Sequence, residues 1–176
     1  PGDVAADIGP GLAEAALLGI VNGGEWDLSR PIEADASLAL ITVKDDSALA
    51  LLRHDCAHTM AEAVLEIYPE TQVTIGPSIE NGFYYDFHRE TPFTDADLEA
   101  IEARMHEIVD RDEVITREVW TRDQAVTFYR DNDEPFKVEL VEGIPADETV
   151  TFYRQGDFID LCRGPHLPST GRLGHS

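Results

Sequence analysis

The sequence predicts an α+β fold with antiparallel sheet, and three observations point to it. Short strand-like runs are joined by hairpin signals, Asn22-Gly23, Glu80-Asn81-Gly82 and Gln155-Gly156-Asp157, not by regular helical crossovers. Thr94 with Asp97, and Thr121 with Gln124, form capping boxes ahead of helical patterns. Apolar residues make up 43% of the 176, enough for a true core. The acidic cluster Asp45-Asp46-Ser47 suits the start of a helix, so the chain divides near residue 45 into a small unit, 1–45, and a larger one, 46–176.

In the small unit, 3–8 and 10–18 read as short helices. Two strands flank Asn22-Gly23, and 37–43 (SLALITV) is a third. The larger unit opens on 51–68, LLRHDCAHTMAEAVLEIY, an amphipathic helix that Pro69 stops. Leu49, Leu52, Cys56, Met60, Val64 and Ile67 form its apolar stripe and are expected to face the core. Residues 72–75 and 83–88 are strands around the Asn81-Gly82 turn. The helix after Thr94 presents Leu98, Ile101, Met105 and Ile108 as its buried stripe. A strand over 114–120 leads to the Thr121 helix, which runs through Tyr129. Residues 134–140 are a short helical turn, and 150–154 and 158–162 a final strand pair.

Thirty-five acidic against 13 basic side chains leave a net charge of −22. Such a surface repels phosphate backbones, so strong electrostatic grip on nucleic acid is not expected of this chain alone. No run of about 18 apolar residues is present to span a membrane. Two cysteines are too few for a disulfide scaffold and fit free thiols in a reducing cytoplasm. Pro1 in first place and the ending GRLGHS read as a piece of a longer protein, without a signal peptide.

The chemistry concentrates in two short stretches. His54 and His58 are four apart, so they stack one turn above the other on one helix face. About a hundred residues later, Asp160-Leu-Cys-Arg-Gly-Pro-His166 brings Cys162 and His166 around a Gly-Pro loop. Together the four are a complete ligand set for zinc and equally a set of acid–base groups titrating near neutrality. His54-Asp55-Cys-Ala-His58 has the spacing of the zinc-protease HExxH motif. Asp55 is one methylene short of the glutamate, however, and no third protease ligand is evident. Asp160, two before Cys162, shares its face if the strand is extended. Tyr84 and Tyr85 point to opposite faces, one of them core. Lys137 is one of only two lysines, and spacing alone gives it no role. His88, His106 and His175 are taken as structural.

These residues carry a family resemblance. RHDCAHTMAEAV (53–64), IGPSIENGFYYDF (75–87) and YRQGDFIDLCRGPH (153–166) resemble signatures of threonyl-tRNA synthetase, and 7–42 is similar to the latter part of its TGS domain, a β-grasp module. The likeness covers essentially the whole chain, and its four-residue constellation is shared with alanyl-tRNA synthetase editing domains. It implies a β-grasp module lacking its first hairpin, followed by a two-layer editing domain of antiparallel sheet and helices. The aminoacylation domain, with its ATP, magnesium and zinc, is not in the chain.

The resemblance further implies hydrolytic proofreading of seryl-tRNA(Thr). Its site would be His54, His58, Lys137, Asp160, Cys162 and His166, with Tyr85 binding substrate. Water would attack the ester, helped by the histidines. His54 and Lys137 would orient the terminal ribose, Asp160 would take the serine ammonium, and Cys162 with His166 would line the pocket. No metal is expected, with zinc on His54, His58, Cys162 and His166 as the alternative. Implied partners are the 3′ end of serine-charged tRNA(Thr) and the rest of a homodimeric synthetase in the cytoplasm. The competing readings are a non-catalytic tRNA-binding or regulatory module and a free-standing, alanyl-related deacylase.

Overall fold

The computed structural model describes residues 1–174. His175 lies outside the described residues. Two short helices, α1 (Gly2–Ile8) and α2 (Pro10–Ala15), lead into β1 (Ala16–Val21), β2 (Gly24–Trp26) and β3 (Leu38–Thr42). These strands form an antiparallel sheet in the order β2-β1-β3. The Asn22-Gly23 turn is as expected. Both residues have positive φ, 49° and 83°, which suits the primed turn that matches strand twist. The helix expected over 10–18 stops short. Ala16, Leu17 and Leu18 are buried in β1, which pairs with β3, so central sheet burial overrides their helical propensity.

The larger unit begins with α3 (Ala48–Ile67). Next come two small ribbons, β4 (Gln72–Val73) with β7 (Phe87–His88) and β5 (Ser78–Ile79) with β6 (Gly82–Phe83). The single strand expected over 83–88 is therefore broken at Tyr84 to Asp86. There the chain turns Tyr85 inward against Gly76, where any Cβ would sit 2.1 Å from the ring. Helix α4 (Asp95–Arg111) precedes β8 (Ile115–Thr121), α5 (Arg122–Asp131), α6 (Pro135–Glu142), β9 (Thr149–Gln155) and β10 (Phe158–Leu161). Both capping boxes form, at Thr94 with Asp97 and at Thr121 with Gln124. The second sheet is antiparallel in the order β10-β9-β8. The α+β architecture holds throughout.

The second sheet has two differently used faces. Val150 and Phe152 pack with Ala125, Val126, Tyr129 and Val141 of α5 and α6. Tyr153 and Ile115 instead join Leu51, Leu167 and, from the first unit, Leu17 and Leu18. The two units thus share one apolar cluster and bury surface in common.

The apolar stripe of α3 is not its innermost face. Leu49 is 51% exposed, Leu52, Cys56, Met60 and Ile67 are half-buried, and of the stripe Val64 alone is buried. Leu49, Leu52 and Cys56 line a surface groove with Met105 and Val109 of α4. The buried face carries Leu51, Asp55, His58 and Glu62, flanked by Ala57, Ala61 and Ala63. Small residues let the sheet approach closely, and the polar ones find partners there. In α4, Ile101 and Ile108 are buried as expected, whereas Leu98 is 56% exposed.

Glu62 accepts from Gln155 Nε2 at 2.7 Å. Burial pushes its carboxyl up to about 8, with Glu113 adding to the rise. The folded chain therefore keeps a proton that the unfolded chain releases above about 4.5. This group subtracts from stability as pH climbs from about 4.5 to about 8. Glu62→Gln keeps the Gln155 contact and removes that linkage. Its melting temperature should gain on the wild type by at least about 3 °C more at pH 8 than at pH 5 in thermal circular dichroism.

Candidate active site

Helix α3 fixes two imidazoles by its own pitch. The His54 and His58 ring centroids are 4.7 Å apart. Cys162 follows β10 directly and stays on the sheet margin, its N–H donating to Thr151 O at 3.0 Å. The chain then reverses through Gly164 at φ +71°. A Cβ there would lie 2.0 Å from the Tyr153 hydroxyl, so glycine is required both by conformation and by space. The reversal returns His166 to within 4.7 Å of the His54 ring and 4.6 Å of the His58 ring. Cys162 Sγ lies 3.1 Å from His54 Nε2 and 3.3 Å from His166 Nε2. All four ligand-type atoms fall within 4.8 Å of one another.

A second cluster abuts the first. Asp160 is buried. Its Oδ1 accepts from Lys137 Nζ at 2.6 Å and from the Tyr129 hydroxyl at 3.3 Å. Its Oδ2 accepts from the Tyr85 hydroxyl at 2.6 Å and lies 4.0 Å from His58 Nδ1. The structure therefore gathers all seven sequence-predicted residues, Lys137 included. Tyr85 is 8% exposed and Tyr84 45%, so the tyrosine turned inward is Tyr85. Both Asp160 oxygens are already engaged, which leaves little room for the ammonium contact expected of this residue. His88 packs on Phe136, and His106 lines the α4 groove; neither belongs to the cluster.

Burial sets the protonation states. Desolvation, helped by His166, lowers His54; the same two causes take His58 down to about 3. Desolvation takes His166 down to about 4. The imidazoles are therefore neutral near pH 7, with free lone pairs. Burial also pushes the Cys162 thiol up to about 12, so the sulfur keeps its proton. For Asp160 burial pulls upward, but the Lys137 charge, His58 and the Lys137 and Tyr85 hydrogen bonds outweigh it and hold the carboxylate below its usual range. The result is a buried ion pair beside neutral imidazoles and a protonated thiol.

Two carboxylates escaped the sequence reading as site residues. Asp55 is fully buried. Its Oδ2 accepts from the Leu167 N–H at 2.7 Å, and its Oδ1 lies 2.7 Å from His166 Nδ1. Asp27, from the first unit, accepts from the His166 N–H at 2.9 Å and from the Tyr153 hydroxyl at 2.8 Å. A signal for Asp55 existed: 51, 55, 58 and 62 share one helix face. Asp27 carried none among 35 acids. A cleft of about 220 Å³ reaches His54. Its walls include Leu18 and Glu25 of the first unit, Ser47 and Leu51 at the start of α3, and Gly164 and Pro165.

The TGS domain family matches residues 1–42, and the threonyl and alanyl tRNA synthetase second additional domain family matches residues 150–175. The class these matches define is a TGS domain at the start of the chain and a synthetase second additional domain towards its end. More particularly, the chain is similar to threonine–tRNA ligases. It is 65% identical over 173 residues to threonine–tRNA ligase of Paramagnetospirillum magneticum, 63% over 171 to that of Rhodospirillum rubrum and 60% over 172 to that of Thiobacillus denitrificans. These alignments cover 98%, 97% and 97% of this chain and 27% of each relative. The chain thus spans about a quarter of the length of the curated relatives it matches. No helix among the described residues is long and apolar enough to cross a membrane, and both cysteines are unpaired.

The Lys137–Asp160 pair gives a direct test. Lys137→Met leaves a buried carboxylate without its cation and should cost about 3–5 kcal/mol in urea unfolding. Adding Asp160→Asn to that variant should recover most of the loss.

Proposed function

We propose that this chain hydrolyses the ester of seryl-tRNA(Thr), as the proofreading part of a threonine–tRNA ligase whose remaining domains join threonine to tRNA(Thr) with ATP, magnesium and zinc. The single observation that carries this is the meeting of His54, His58, Cys162 and His166 beside the Lys137–Asp160–Tyr85 cluster, at the foot of a cleft. The physical need is plain. Serine lacks one methyl of threonine, and a pocket sized for threonine gains only about 1–3 kcal/mol of discrimination from that methyl. A second, hydrolytic sieve removes the serine that slips through.

The chain's own groups suffice for the reaction. Water attacks the ester carbonyl, a neutral imidazole accepts its proton, and that proton passes to the ribose 3′ oxygen as the ester bond breaks. His54, the half-buried member at the cleft, and the Lys137 ammonium orient the terminal ribose and the leaving 3′ oxygen. Tyr85 and Asp160 hold Lys137 in place and limit the space beside the serine side chain. His58, Cys162 and His166 complete a polar wall around the reacting carbonyl. The rest of the synthetase supplies most of the grip on tRNA, since the net charge of −22 opposes it here.

The same four side chains fit a zinc ion by chemistry, three neutral nitrogens and one sulfur in mutual reach. If bound there, zinc would act as a Lewis acid toward water. The reading kept is the metal-free one that the resemblance to the threonyl type implies. Stoichiometric zinc in metal analysis of the purified protein would overturn that part alone.

The deciding assay follows serine release from seryl-tRNA(Thr) with threonyl-tRNA(Thr) as control. Release of serine only, reduced at least about tenfold by His54→Ala or Lys137→Ala, is the expected outcome. Unchanged release in either variant removes that residue from the mechanism, and no release by the wild type leaves a tRNA-binding module.

A further inference from the structure

The chain between β4 and β7 makes an excursion, 76–85, over α3. Its base is tied: Thr74 donates to Asp86 O from its N–H at 3.1 Å and from its hydroxyl at 2.6 Å, and the Asp86 N–H donates to Ile75 O at 2.9 Å. Further out lies the β5–β6 ribbon, in which Ser78 pairs with Phe83 and Ile79 with Gly82. Strands this short do not hold themselves together in water. The ribbon straddles the helix. Ser78 lines the cleft with Ser47, Ala50 and His54, whereas Phe83 lines the α4 groove with Leu49, Leu52 and Cys56. Tyr85, at the returning end, carries its hydroxyl to Asp160. The tip is fastened from α3 itself. Arg53, the residue before His54, donates from Nη1 to Glu80 O at 2.6 Å and to Ile79 O at 3.4 Å.

We propose that Arg53 is a positioning residue for the site: it clamps the tip of the β5–β6 ribbon onto α3, so that Ser78 stands as a wall of the cleft and shapes the entrance for the aminoacylated 3′ end. The inference rests on the hydrolytic reading above for its substrate, while the clamp stands on the hydrogen bonds alone. Helix pitch couples the two roles. Residues 53 and 54 leave α3 about 100° apart, so the turn that brings His54 to the cleft carries Arg53 to the ribbon beside it. Both acceptors are main-chain carbonyls at the ribbon's turn, and a guanidinium donor strengthens its bonds to them. Loss of that donor frees the tip. The Thr74–Asp86 rungs remain, and so does the packing of Phe83 against the Ala57–Ala61 cluster. The wall carrying Ser78 then moves while the imidazoles stay in place, so substrate binding suffers and the chemical step does not.

The test reads the ribbon and the reaction separately. Arg53→Met keeps the apolar stem and removes the donor; Arg53→Lys keeps a cationic donor. Amide hydrogen exchange over 78–83 should quicken at least about tenfold in Arg53→Met, with 150–161 unchanged, and Arg53→Lys should restore most of the protection. In serine release from seryl-tRNA(Thr), Arg53→Met should raise KM about fivefold or more with the turnover number within about twofold, and Arg53→Lys should bring KM back to within about twofold of the wild type. Unchanged exchange over 78–83 in Arg53→Met overturns the clamp, and exchange quickened equally over 150–161 overturns its local character. A loosened ribbon with KM unmoved, or with turnover falling in place of binding, overturns the role of the wall. A dependence of log KM on log salt shallower by about one in Arg53→Met would mark a direct phosphate contact and overturn the clamp as the cause. If the wild type releases no serine, the hydrolytic reading fails, and the exchange measurement still decides whether Arg53 holds the ribbon.

Discussion

Taking a carboxylate out of water is the constraint around which the larger unit is assembled. Asp160 is buried on an edge strand, where its ionised form survives only if cations and donors are delivered to it. Lys137 comes from α6, Tyr129 from α5, and Tyr85 from the broken ribbon beyond α3. Each of those elements has its own apolar reason to be where it is. Tyr129 packs on Phe152, and Tyr85 stacks on Phe87. The polar convergence is thus carried on apolar packing. The histidine cluster lies against this network through His58, so neutral imidazoles and a fixed positive charge share one wall of the site.

The sheet separates duties by face. One face, with Phe152 and Trp120, packs α5 and α6 and supplies ordinary core stability. The other meets α3 and the first unit, and there buried polar groups pair across elements: Gln155 with Glu62, Tyr153 with Asp27, Asp55 with Leu167 N–H. Close approach on that face depends on the alanines of α3. Larger residues at 57 and 61, which pack against Phe158 of β10, would hold the helix off the sheet and leave these acids unmet.

What could be read in the sequence followed from local rules. The helical repeat places His54 beside His58, Asn22-Gly23 makes its hairpin, and Thr94 and Thr121 start their helices, because each depends on residues a few positions apart. The misreadings have a common physical origin. A helix fails over 16–18 because a central strand gains burial that only the folded sheet supplies, and that gain exceeds the helical preference of Ala16, Leu17 and Leu18. The α3 stripe misleads because the helix turns its small and polar face inward, and its large apolar residues mostly border a groove. Lys137 looked like any surface lysine; its partner lies 23 residues away on another element. Only the family resemblance singled it out. Asp27 is one acid among many, and its role depends on a loop 139 residues distant.

The two tryptophans fall one to each unit. Trp26 lies beneath the Arg30 guanidinium, 3.5 Å from ring centroid to Cζ, in the first. Trp120 stacks at 4.1 Å on Phe152 in the second. Each half thus holds a separate intrinsic fluorophore, one under a cation and one stacked on a phenyl ring with its N–H on the Glu118 carboxylate. Emission from single-tryptophan versions would therefore report whether the halves come apart together or in sequence, without any attached dye.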